Sequence, residues 1–209
     1  MITSRAFVSE WLICVTRLFV NRVEVSVSEL DEAWAVGIAE AEARARASGR
    51  ADIAEYLALR SSNDLLRKIS SDWLLRLFAT TAGEANRRGA AIQISTEDGY
   101  RFKVGNATMM GTRISLGSGV RMLVVEVGWP RIPSDGFIRG GGLACANIKH
   151  IGIKAANEEL RLAVDNTGTP RWIMSGKHGS RPEPREFHES NVGQHLSLLL
   201  DDSRPPMHR

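Results

Sequence analysis

Adjacent Lys149 and His150 are the first acid–base candidates in the chain. Imidazole titrates near neutrality, and an ammonium beside it can steady developing negative charge. With Arg171 to hold a phosphate, His150 and Lys149 make a set suited to metal-independent cleavage of RNA. One feature counts against that enzyme. Leu143 to Ile153 reads as a strand, and neighbours on a strand point to opposite faces, so Lys149 and His150 do not line one site together.

Other chemistry is less complete. Arg139 precedes Gly140, Gly141 and Gly142, and glycine lets backbone N–H groups come close to a phosphate. The Lys-Ser/Thr pair of a P-loop is missing, and a strand rather than a helix follows the glycines. His178, His188 and His195 stand among Glu183, Glu186 and Glu189. Their spacing lacks the tight ligand pairs of zinc sites, so neither a metal nor a cofactor is expected. A Gly-x-Ser-x-Gly elbow is absent, and Gly117-Ser-Gly119 is too short to be one.

Charge points to binding rather than catalysis. Residues 1–90 carry 12 basic and 12 acidic side chains, residues 91–176 carry 10 and 7, and residues 177–209 carry 5 and 5. Between Tyr100 and Lys154 eight cations face only Glu126 and Asp135. Such clustering attracts polyanions through the summed field. Arg101, Lys103 and Arg113 are expected to share the open face of one sheet if their strands pair as simple hairpins. Arg131 and Arg139 would add loop contacts. Trp129 and Trp172 are the only nearby aromatic residues suited to stacking on bases.

The elements that must position these residues change character near Gly89. Before it, apolar residues recur at helical spacing; after it they alternate at strand spacing. A helix is expected over about 4–20, with Phe7, Trp11, Val15 and Leu18 on one side. Val23, Val25 and Val27 alternate with polar residues, predicting a short strand over 22–28 that joins the later sheet. Ser28 opens a second helix with Leu30, Trp34, Ile38, Ala41 and Ala45 inward, ending at Gly49. A short helix over 52–60 and a long one from Ser61-Ser-Asn-Asp64 to about Arg88 follow. Leu66, Ile69, Trp73, Leu77 and Phe78 of the long helix are expected inward.

The β half reads as a meander. Turns are expected at Glu97-Asp-Gly99, Gly105-Asn106, Gly117-Ser-Gly119 and Asn166-Thr-Gly168, with a long loop over 128–142. Residues 120–127 are nearly all apolar, as in a central strand covered on both faces.

The expected architecture is therefore α+β: N-terminal helices packed on an antiparallel sheet. Residues 1–176 form one domain, with a helical half over 1–89 and a β half over 90–176. Residues 177–209 are expected to be a linker or arm ending in a short helix. Cys14 and Cys145 each lie in an apolar run and read as reduced thiols of a cytoplasmic protein. Ala6 to Val20 is too short for a membrane span and is interrupted by Glu10 and Arg17, so no membrane partner is expected. The leading function is a non-enzymatic binding or adaptor protein that works in a complex. Its expected partner is a protein or a second copy, and nucleic acid on the basic face is a candidate. The alternatives are the ribonuclease-like enzyme and a subunit of a larger assembly, in which Trp34 and Trp73 serve an interface.

Overall fold

The computed structural model describes residues 27–174 and 185–201. Among the described residues, three α-helices and seven strands make an α+β architecture, with two of these helices ahead of the sheet and one behind it. We number them α1 (Val27–Ala47) and α2 (Ala51–Arg87), then β1 (Gln93–Val104), β2 (Ala107–Ser118), β3 (Arg121–Trp129), β4 (Ala144–His150), β5 (Glu158–Val164), β6 (Pro170–Met174) and β7 (Arg185–Glu186), and finally α3 (Glu189–Leu200). The strands form one antiparallel sheet in simple sequence order. No helix among the described residues is long and apolar enough to cross a membrane.

The core lies between one face of the sheet and α2 with α3. Ile114, Leu116, Leu123, Val125, Val127, Ala146, Ile148, Leu160, Leu162 and Trp172 line the sheet side, all buried. They meet Leu74, Phe78 and Ala82 of α2 and Val192, Leu196 and Leu199 of α3. Two polar contacts pin α2 to the sheet. The Trp172 indole N–H donates to the Ser70 carbonyl (3.1 Å). The Asn86 amide both donates to and accepts from the Ile92 backbone (2.8 and 2.7 Å), fixing the helix end to the chain entering β1. Residues 123–129 of β3 are buried on both faces, as their apolar run predicts.

Several sequence expectations are corrected. The two helices expected over 52–60 and 61–88 are one helix of 37 residues. Ser61 to Asp64 does not interrupt it, and Asp64 pairs with Arg67 along the helix instead of capping a new one. The inward set of α2 is Ser70, Ser71, Leu74, Phe78 and Ala82, whereas Ile69 and Trp73 are exposed, as is Trp34 on α1. Apolar residues occur on more than one side of α2, so periodicity alone does not choose the buried side. Glu97-Asp-Gly99 is not a hairpin turn. β1 runs through it, and Gly99 (φ 71°) is the extra residue of a bulge between the Asp98–Thr112 and Tyr100–Gly111 pairs.

The strand expected over 22–28 lies outside the described residues, except that Val27 and Ser28 already belong to α1. The stretch expected as an arm is, from Arg185 on, part of the same core. β7 pairs with β6, Phe187 is buried, and α3 contributes three core side chains.

Candidate functional site

The first half of α2, ahead of the buried run that starts at Ser70, lies beside the β3–β4 loop. A groove of about 390 Å³ lies between them. α2 lines it with Tyr56, Leu59, Arg60, Asn63 and Arg67; the loop lines it with residues 130–133, 136–138, 142 and 143.

The loop is braced from within. The buried Asp135 carboxylate accepts the backbone N–H groups of Arg131 (3.0 Å) and Ile132 (3.2 Å) across a 3₁₀ turn. The Arg67 Nε–H donates to the Leu143 carbonyl (2.9 Å), tying the loop to α2. The Arg161 guanidinium donates to the carbonyls of Gly140 and Gly141. Of the run Gly140, Gly141 and Gly142, the first two thus offer carbonyls to a cation, the reverse of the N–H display that cradles a phosphate. Gly142 needs its missing side chain. Its φ is 124°, and a Cβ there would stand 2.7 Å from Arg161 Cγ.

The groove combines arginines with exposed aromatic rings. Arg60 lies over the Trp34 ring (4.9 Å) and Arg131 over the Trp129 ring (4.1 Å). Arg131 is held from the other side by Asp31 of α1 (2.6 Å), and Arg67 by Asp64. The Arg131 Nε is a buried donor with no hydrogen-bond partner among the described residues. Tyr56 is 60% exposed and Phe137, at the loop tip, 86%. Arg139 is exposed on the same loop. With Arg60, Arg67 and Arg131 it faces three carboxylates, Asp31, Asp64 and Asp135, so the net excess here is small.

The expected three-cation face does not assemble. The bulge at Gly99 reverses side-chain parity within β1. Arg101 and Lys103 therefore sit opposite Met110 and Thr108 on the core-face side of the sheet edge, both exposed. Arg113 lies on the other face, ion-paired with Glu97 and under the Tyr100 ring (4.3 Å). The two tryptophans proposed for stacking are unavailable: Trp172 is in the core and Trp129 is covered by Arg131.

Nor does the ribonuclease-like set converge. Lys149 points to the face away from the helices, where its Nζ donates to the buried Glu126 carboxylate (2.7 Å), which also accepts from Asn147 (3.2 Å). Arg171 is on β6, paired with Asp165 and Glu186, and both acids hold its proton more tightly than usual. Hydrogen bonds from Thr167 and Thr169 hold Asp165 down at about 2.

His150 is buried on the core face, its Nε2 2.9 Å from Nδ1 of the equally buried His195 on α3. The Nε2 of His195 faces Glu158 at 3.5 Å. If His195 turns an Nε2–H toward Glu158, its Nδ1 must accept, and His150 Nε2–H is the donor. Burial, and then the neighbouring His195, push His150 down to about 4. Enclosed in the core, this pair ties β4 to α3 and has no access to a substrate. Cys145 is equally enclosed, its thiol pushed up to about 12 by burial. Among the described residues no group of three or more His, Cys, Asp or Glu could hold a metal ion.

Arg60, Arg67, Tyr56 and Phe137 were not among the sequence candidates. Phe137 carried the one available signal, a bare aromatic ring inside a Gly/Pro loop. Comparison with family models, with curated proteins and with solved structures finds no match.

Proposed function

We propose that the protein is a non-enzymatic adaptor that grips an extended segment of a partner protein in the groove between α2 and the β3–β4 loop. The observation that carries this reading is the composition of the groove. Arginine and tyrosine are among the residues that dominate the energetic centres of protein interfaces; Arg60, Arg67, Arg131 and Tyr56 line this groove with the exposed Phe137, and Trp34 supports Arg60 from outside it. The guanidinium groups are held in place by rings and carboxylates, so little ordering entropy remains to be lost on binding. The small net charge favours an acidic and apolar peptide over a long polyanion.

The test is a displayed random-peptide library panned on the full-length chain and on its Arg60→Glu and Phe137→Ala variants. Peptides pairing acidic with aromatic or aliphatic residues should enrich on the native chain, and either substitution should weaken them by at least about tenfold, as for an interface anchor. Peptides that bind the variants equally well would refute the groove. A 20-nucleotide oligouridylate that binds with steep salt dependence, and is lost in the same variants, would replace the peptide reading with single-stranded nucleic acid.

A further inference from the structure

α2 has a second apolar side that nothing among the described residues covers. Leu65, Ile69 and Trp73 recur every four residues and so form one stripe; they are 58%, 53% and 41% exposed. The half-buried Leu66 and Leu77 flank them. This stripe is not the groove, whose α2 residues lie on the side that continues into Leu74 and Phe78.

We infer that residues 6–20 of this same chain cover the stripe. The first argument is position. α1 and α2 run antiparallel across the turn at 48–50, and their register is fixed by Arg60 over Trp34 and by buried Ala45 and Ala54 near the turn. That register sets the start of α1, at Val27, abreast of residues 67–72 of α2, in the middle of the stripe. The second argument is reach. A link over 21–26 spans up to about 20 Å when extended, more than the width of a helix, about 10 Å. The third is length and composition. As a helix, residues 6–20 would be about 22 Å long, and Leu65 to Leu77 spans about 18 Å. Phe7, Trp11, Val15 and Leu18 recur on one side at the matching period, with Cys14 beside them. Such a side must be buried somewhere, and the nearest unpartnered apolar surface to its own chain is this stripe.

The native Cys14 makes the contact measurable. Cys145 is buried and its thiol is held protonated, so it stays silent. Full-length variants carrying Leu65→Cys, Ile69→Cys or Trp73→Cys are oxidised, with Lys103→Cys on β1 as the control. At least one stripe variant should form a disulfide to Cys14 within a single chain, at least tenfold more than the control. In a separate measurement, Ile69→Cys should be alkylated at least tenfold more slowly than Lys103→Cys. Adding Trp11→Asp and Leu18→Asp should remove that protection while the far-ultraviolet spectrum persists. Alkylation of Ile69→Cys as fast as the control, or disulfides that join only separate copies, would overturn the assignment; the latter would give the stripe to a second copy of the chain.

Discussion

Acidification should weaken this fold through His150, and by an amount the structure sets. His150 is 4% exposed and stacks on the ring of His195, which in turn sits against Phe78 and Phe187. Among the described residues, the carboxylate that faces the pair is Glu158. The folded protein holds His150 at about 4, against 6.5 for a free imidazole. As pH falls below about 6.5 the unfolded chain takes up a proton that the folded chain refuses. Stability is therefore complete above 6.5, falls between 6.5 and 4, and levels off below. At about 1.4 kcal/mol per unit, the full loss is about 3 kcal/mol and the loss at pH 5 about 2 kcal/mol. Asp165, at about 2, titrates below this window. Urea unfolding followed by tryptophan fluorescence should be run from pH 7.5 to 4.5 on the native chain and on His150→Gln. The variant should start about 1–3 kcal/mol less stable, since His195 Nδ1 loses its donor, yet decline less steeply with acid. Equal slopes in the two proteins, or no decline in the native one, would refute the reasoning.

Two further outcomes follow from close contacts. Gly111 and Gly128 face each other across β2 and β3, and a Cβ on Gly111 would stand 2.0 Å from the Val127 carbonyl oxygen. Gly111→Ala should therefore cost at least about 2 kcal/mol by strand separation, read as a lower urea midpoint; an unchanged midpoint would show that the strands part freely. Lys149→Met leaves the buried Glu126 carboxylate accepting from Asn147 without its lysine. It should destabilise by about 1–3 kcal/mol, less than for a fully buried pair because Lys149 is 40% exposed. An unchanged urea midpoint would mean that the ion pair contributes nothing to stability.

The α+β class, the helices ahead of the sheet and most strand positions were legible in the sequence, because the period of apolar residues reports local geometry directly. Residues 123–129 and the helix carrying Val192, His195, Leu196 and Leu199 could be read for that reason. Which side of a helix is buried could not. On α2, Ile69 and Phe78 look alike to a periodicity count, and only the sheet's position makes Phe78 core and leaves Ile69 on the surface. Parity failed for a sharper reason. One unpaired glycine, Gly99, swaps the faces of everything after it, so Arg101 and Lys103 part company with Arg113. The groove was least legible of all. Tyr56 and Arg67 lie far along the chain from Phe137, and they meet only because the first half of α2 packs beside the β3–β4 loop. Local propensity fixes the elements, whereas sites made of distant residues exist only once packing has fixed where each element ends.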